Sequence, residues 1–333
     1  METLLSTNAD EAIGPNRDEF AGQSPGRLVK RLFHATRPKF FPASVLPVFA
    51  GTAYGVYAAA AFDGLVFFLA LLATVCVHAG SNVLNDVSDE SIGTDRINDT
   101  RIYPYTGGSR FIQNKILDVS AMAKLGITLL AIAAVCGLFL LLLRGLPVLY
   151  FGVAGVALGV FYSLGPAKLS SLGLGEAAVG VAFGILPVTG AAWLQGAMLD
   201  STVLLFSIPI SIWVAAILQI NGVPDMAADQ ATGKRTLAVR LGLNGTAILY
   251  ALIHLVAFLV IVVLTLQDTL PMLAPLLPLA LLFMAAKATQ QIRRGIDDRE
   301  GMTKAIEATL AIHTLGSLWL TACILFKFFR PLA

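Results

Sequence analysis

Long apolar runs recur along this chain, and each is long enough to cross a lipid bilayer. Nine can be marked, at residues 43–62, 64–84, 120–143, 146–164, 173–194, 201–221, 243–266, 270–288 and 305–328. A run of about 20 apolar residues, wound as a helix, spans a hydrocarbon core about 30 Å thick. With no water to satisfy them there, backbone groups must bond within the segment, so each run is a helix. Short alternating segments of the kind a membrane barrel needs are not found. Of the 333 residues, 56% are hydrophobic and only 13% charged, against roughly 25% charged in a soluble domain. The fold class is therefore all-α, a polytopic membrane protein.

Charge gives the expected topology. With the N-terminus inside, all of the 23 Lys and Arg except Arg144, Lys327 and Arg330 fall in inside segments or, for Lys124 and Lys287, near the inside ends of runs. The positive-inside rule then puts the N-terminus in the cytoplasm and the C-terminus on the opposite side. Outside connections are very short, while the inside connections after the second, sixth and eighth runs are long and polar. Elaboration is concentrated on the cytoplasmic face. Residues 1–26 read as a disordered cytoplasmic tail without a cleavable signal, and 27–333 as one transmembrane domain. The basic residues are spread over several loops, and the net charge of +2 carries no signal for nucleic acid. Cys76, Cys136 and Cys323 all lie in apolar runs and read as small buried residues, with no Cys/His metal spacing.

Against this background stand two acidic clusters, each where an apolar run ends. The first holds Asn82, Asn85, Asp86, Asp89 and Asp95; the second holds Asn221, Asp225 and Asp229, followed by Lys234 and Arg235. Carboxylates at a membrane boundary are functional candidates by default. Helical spacing puts Asn82, Asn85, Asp86 and Asp89 on one broad face, and Asn221, Asp225 and Asp229 in one stripe. Both clusters lie on the same side, four spans apart, which suggests two related halves whose acidic ends face each other across a central cavity. Hard oxygen donors without His or Cys suit Mg²⁺, which keeps several waters and bridges to substrate phosphates. With Arg37, Arg110, Lys115, Lys234 and Arg235 as basic candidates, the pattern is that of a diphosphate site. Isolated acids at a helix end would be no more than solvated ends; two Asn-plus-Asp clusters in this spacing are a specific signal.

The motifs resemble those of the UbiA superfamily of intramembrane prenyltransferases. Asn85, Asp86, Asp89 and Asp95 match its first motif. The six-residue gap from Asp89 to Asp95 is like the branch that prenylates 1,4-dihydroxy-2-naphthoate in menaquinone synthesis. Residues 221–237 look like that branch's second motif. Further matches are Arg37, Pro38 and Lys39; Gly107, Gly108, Ser109 and Arg110; Tyr162, Ser163, Leu164, Gly165 and Pro166; and Gly173, Leu174, Gly175 and Glu176 followed by Phe183 and Gly184. The resemblance runs from about residue 30 to the last span. It implies nine transmembrane helices around a central cavity with a cytoplasmic cap, and transfer of a polyprenyl group from polyprenyl diphosphate to an aromatic acceptor. It further implies Mg²⁺ held by Asp86, Asp89, Asp95, Asp225 and Asp229, with Asp86, Asp89, Asp225 and Asp229 at the chemistry. Substrate contacts would come from Arg37, Asn82, Asn85, Arg110, Lys115, Tyr162, Asn221, Lys234 and Arg235. One departure stands out: Pro224 occupies the position before Asp225 where the naphthoate branch usually has Arg.

Several residues keep two readings. Asp95 is a ligand, an anchor for a basic residue, or a solvated loop acid. Tyr162 is an interfacial belt residue or a substrate contact. Glu176 pairs with a base or the acceptor, or is merely solvated. His78 reads as a hydrogen-bonded helix residue, as do His254 and His313. Asp297, Asp298, Arg299 and Glu300 read as a solvated loop. Alternative acceptors are 4-hydroxybenzoate, homogentisate or an ether-lipid glycerol phosphate. From another class, an ion-coupled transporter would place acids deep in broken helices, where none are seen.

Overall fold

The computed structural model describes residues 14–93, 95–163 and 168–329. Ten longer helices make up the described chain: α1 Pro25–Ala35, α2 Pro42–Ala59, α3 Gly64–Ile92, α4 Val119–Arg144, α5 Pro147–Ser163, α6 Gly175–Leu194, α7 Ser201–Ala231, α8 Leu237–Leu266, α9 Leu276–Arg294 and α10 Arg299–Phe329. α2 to α10 correspond one to one with the nine apolar runs. Among the described residues, seven helices are long and apolar enough to cross a membrane. The other two are α5, which is shorter, and α9, whose last turns carry Lys287, Arg293 and Arg294. The protein is an integral, multi-pass membrane protein.

Two helices run well past their apolar stretches. α3 continues to Ile92 and α7 to Ala231, so Asn82, Asn85, Asp86 and Asp89, and Asn221, Asp225 and Asp229, ride on helix, while Asp95 lies in a short turn at Asp95–Ile97. The apolar runs end earlier, at residues 84 and 221. The helix persists because its polar side chains are paired, as shown below. Pro224 lies inside α7 without ending it. Asp63, Asp118 and Asp200 cap α3, α4 and α7 by accepting from first-turn amides.

From α2 on, helices adjacent in sequence pack side by side, and α10 returns to pack on α2, closing the circuit. α2 also packs along α6, and α7 along α10. Glycine allows the closest approaches. A Cβ on Gly51 would lie 2.2 Å from the Val188 carbonyl oxygen, and one on Gly184 would lie 2.2 Å from Ser211 Cα. In lipid, such backbone contacts take the place of a hydrophobic driving force between helices. α6 carries a π-helical turn at Val181–Ile185, a local widening that often marks functional sites. The main core runs through α2, α7, α8, α9 and α10. The outward sides of α4, α5 and α8 expose Leu142, Tyr150, Val156 and Leu252, among others, as lipid-facing surfaces do.

Residues 1–13 of the expected tail lie outside the described residues. From Gly14 onward the chain is seated: a short turn at Asp18–Phe20 buries Phe20 against His34 and Phe111.

Candidate active site

At the end of α3, Asp86 is only 2% exposed. Its Oδ2 accepts from the Ser109 amide at 3.0 Å, while its Oδ1 is buried with no hydrogen-bond partner. One turn on, Asp89 accepts from Asn85 Nδ2 at 2.8 Å through one oxygen and from Lys234 Nζ at 2.9 Å through the other. Asn82 faces a different neighbour and donates to the Thr36 carbonyl.

The connection between α3 and α4 folds back over this end as a roof. Asp95, Asn98, Arg101, Thr106, Ser109 and Arg110 are all buried polar residues. Consecutive glycines let it approach: Gly107 and Gly108 both have positive φ, and a Cβ on Gly108 would lie 2.6 Å from Asp95 Oδ2 and 3.2 Å from Asp86 Oδ1. Arg110 donates to the Asp95 carbonyl, and Gln113 reaches both Glu90 and Asp95. Burial pushes the Asp95 carboxyl up to about 7, with Asp89 and Asp86 adding to the shift and Arg110 and Arg37 opposing it.

The same roof reaches the second cluster. Asn98 Nδ2 donates to Asp225 Oδ1 at 2.6 Å, and Thr100 Oγ1 donates to the Pro224 carbonyl. Lys234, just past α7, lies 2.9 Å from Asp89 and 3.9 Å from Asp229. It therefore ties the two acidic ends together. Burial pulls the Lys234 ammonium down, but Asp89 and Asp229 outweigh that and hold its pKa above the usual lysine value. Asn221 Oδ1 is buried without a partner. The roof is held from further sides as well. Arg37, in a left-handed conformation, donates to the Tyr105 carbonyl at 3.0 Å, and its Nε is buried with no partner. Tyr105 Oη donates to Glu307 at 2.9 Å, and Arg299 donates to the Arg101 carbonyl. Burial, then Glu307, pushes the Tyr105 phenol up to about 12.

Asp86, Asp89, Asp95, Asp225, Asp229, Lys234, Arg37 and Arg110 thus share one end of the bundle. Lys115 and Arg235 are exposed. The Tyr162 ring lies beside Gly175, next to Glu176. Leu164, Gly165 and Pro166 fall outside the described residues, as does the side chain of Ser163. His78 bonds Ser44 at 2.9 Å, His254 the Tyr250 carbonyl and His313 the Pro42 carbonyl. In the run at 297–300, Asp297 is exposed, but Asp298 caps α10 through the Gly301 amide and Arg299 holds the roof. Sequence reasoning missed Asn98, Thr100 and Gln113, and gave Ser109 only as part of a motif. Their one signal was position, in a polar stretch between Asp95 and Lys115.

The donor set fits a hard divalent cation. Asp86 Oδ1 is a buried, unpartnered carboxylate oxygen, Asp95 is buried close by, and every donor is oxygen. Among the described residues, no group of three His, Cys, Asp or Glu side chains is drawn together into a closed ligand set.

A family model described as the UbiA prenyltransferase family matches residues 44–305, well over half of the chain. The chain is 33% identical over 222 residues to a 1,4-dihydroxy-2-naphthoate octaprenyltransferase of Haemophilus influenzae, covering 64% of this chain and 70% of that protein. It is 30% identical over 254 residues to UbiA prenyltransferase domain-containing protein 1 of Xenopus tropicalis, covering 75% and 70%. The fold is similar to a solved structure of a UbiA homologue from Archaeoglobus fulgidus bound to GPP and Mg²⁺. That match has a TM-score of 0.58 at 14% identity, covering 88% of this chain and 99% of that one.

Proposed function

Because this chain belongs to the UbiA prenyltransferase family and is a prenyltransferase, we propose that it transfers a polyprenyl group from polyprenyl diphosphate to an aromatic acceptor, with 1,4-dihydroxy-2-naphthoate the first candidate, and that it uses Mg²⁺. The observation that carries this reading is the meeting of two acidic helix ends under one roof, joined by Lys234 to Asp89 and Asp229. The naphthoate acceptor is supported by the Haemophilus influenzae relative's name, and the metal and diphosphate by what the Archaeoglobus fulgidus homologue binds.

Asp86, Asp89, Asp225 and Asp229 would hold the metal, with Asp95 behind them. Bound there, Mg²⁺ would neutralise the diphosphate and make it a better leaving group. Lys234 and Arg37 bring positive charge to the place where negative charge builds as the allylic carbon–oxygen bond breaks. Asn98 holds Asp225 in position and Ser109 holds Asp86. The electron pair leaves with the diphosphate, and the allylic cation is attacked by an electron-rich ring carbon. The ring regains aromaticity by losing a proton or a carboxyl group. The roof keeps bulk water from that cation, and Tyr162 offers it an aromatic face. The sites face the cytoplasm in this reading, which the concentration of basic residues at the acidic end supports.

The test is to incubate membranes containing the protein with radiolabelled polyprenyl diphosphates and a panel of aromatic acids, then identify the lipid product by mass. A prenylated naphthoate-derived product, lost on chelation of divalent cations, is expected. Transport of an ion or solute with no prenyl diphosphate consumed would overturn the proposal.

A further inference from the structure

α1 is amphipathic, but it is turned inside out relative to a helix on a soluble core. At 3.6 residues per turn, Leu28, Val29, Leu32 and Phe33 fall on one side and Arg27, Lys30, Arg31 and His34 on the other. The basic side is the one with partners, all in residues 19–22, although Arg27 and His34 are also exposed. Lys30 pairs with Glu19 at 2.8 Å and Arg27 donates to the Glu19 carbonyl at 2.7 Å. Arg31 donates to the Phe20 and Gly22 carbonyls at 3.1 and 2.8 Å. Phe20 stands edge-on to the His34 ring. The apolar side is left open: Leu28, Val29 and Phe33 are 45%, 64% and 52% exposed. A short helix gains little by displaying such a face to water.

The open face continues into the lipid-facing surface of the bundle. The Phe33 ring stands edge-on to Phe41, 6.2 Å away, at the start of α2. Further along α2, Phe49 is exposed and rests on Phe67 of α3. We propose that α1 lies in the interfacial layer of the membrane that the protein spans, its Leu28, Val29, Leu32 and Phe33 face sunk among the lipids and its basic face turned to residues 19–22. Helices with one apolar and one basic side, adjoining a membrane, take this position. The seating has a structural consequence for the roof. The chain leaves α1 at Ala35; the Thr36 carbonyl then accepts from Asn82, and Arg37 donates to the Tyr105 carbonyl. A helix anchored in the interface thus braces one end of the strap that meets the roof.

The experiment uses the full chain reconstituted in phosphatidylcholine liposomes, with a spin label at Val29→Cys, Phe33→Cys or Arg27→Cys. The unmodified protein, whose Cys76, Cys136 and Cys323 are buried, supplies the background. Collision with dissolved oxygen, which partitions into lipid, is compared with collision with a water-soluble nickel chelate. The labels at 29 and 33 should favour oxygen and report a depth of about 5–10 Å, while the label at 27 favours nickel. Labels at 29 and 33 that meet nickel as freely as the one at 27 would put the face in water and overturn the proposal. Labels at 29 and 33 shielded from both probes would put it against protein, a second copy or another segment, and overturn it equally.

Discussion

At the end of α3 the acids find most of their partners within their own stretch of chain; at the end of α7 they do not. Asp89 bonds Asn85 one turn away, and Asp86 bonds Ser109 in the connection that follows the helix. Asp225 depends on Asn98, from that same distant connection, and the closest contact of Lys234 is to Asp89 and not to its neighbour Asp229. Asp86 is therefore held locally and Asp225 from across the bundle, while Lys234 joins Asp89 to its own neighbour Asp229. The connection between α3 and α4 organises both, so the two ends behave as one site and not as two similar ones.

The largest effects should come from acids that no other residue replaces. Asp86→Ala and Asp225→Ala should each lower turnover by more than about 10²-fold, with folded protein still present in the membrane. Near-normal turnover in the Asp86 variant would leave only the α7 cluster in the chemistry and break the symmetry of role. Asn98→Ala sharpens the comparison, because it touches the α7 cluster without altering α7. A hydrogen bond to a charged group contributes about 1.5–3 kcal/mol, so rates should fall by about 10- to 100-fold. If Asn98→Ala proved silent, the roof would be a cover and not a shared support.

Pro224→Arg should act on acceptor choice more than on diphosphate affinity. The unmodified position offers only its carbonyl, which Thr100 already engages, and no positive charge for an acceptor's carboxylate. Competition between 1,4-dihydroxy-2-naphthoate and other aromatic acids at fixed prenyl diphosphate reads this directly. The variant should favour carboxylated acceptors more strongly, with an unchanged KM for the diphosphate. Equal selectivity in both proteins would make Pro224 a backbone variation alone. Smallest of all, Asp297→Ala should change turnover by less than about 2-fold, since exposed surface substitutions rarely exceed about 0.5 kcal/mol. A larger loss there than at Asp86 would show that the site has been placed on the wrong residues.

The helices were legible in the sequence because a membrane leaves the backbone few options. The apolar runs locate all nine, and the spacing of Asn85, Asp86, Asp89, Asn221, Asp225 and Asp229 locates the two acidic faces. Helix ends were less legible. α3 and α7 outlast their apolar runs because paired polar side chains sustain the extra turns, and pairing across the bundle leaves no local trace. The roof was the least legible part. Gly107 and Gly108 hint at a loop able to approach closely, yet nothing local says that Asn98 serves Asp225 or that Arg299 holds the Arg101 carbonyl. For the same reason Lys115 and Lys234 looked alike in sequence, while one lies exposed and the other lies between Asp89 and Asp229.

The claim that the two acidic ends form one diphosphate site is tested most directly by a double-mutant cycle on binding. The protein, Asp89→Asn, Asp229→Asn and the double variant would be reconstituted, and the affinity of a non-ionising prenyl diphosphate analogue measured in the presence of Mg²⁺. Residues sharing one charge network couple, whereas independent sites add. The account predicts that each single variant weakens binding and that the double variant is little worse than the weaker single one. Losses that simply add would contradict it and leave two separate acidic ends.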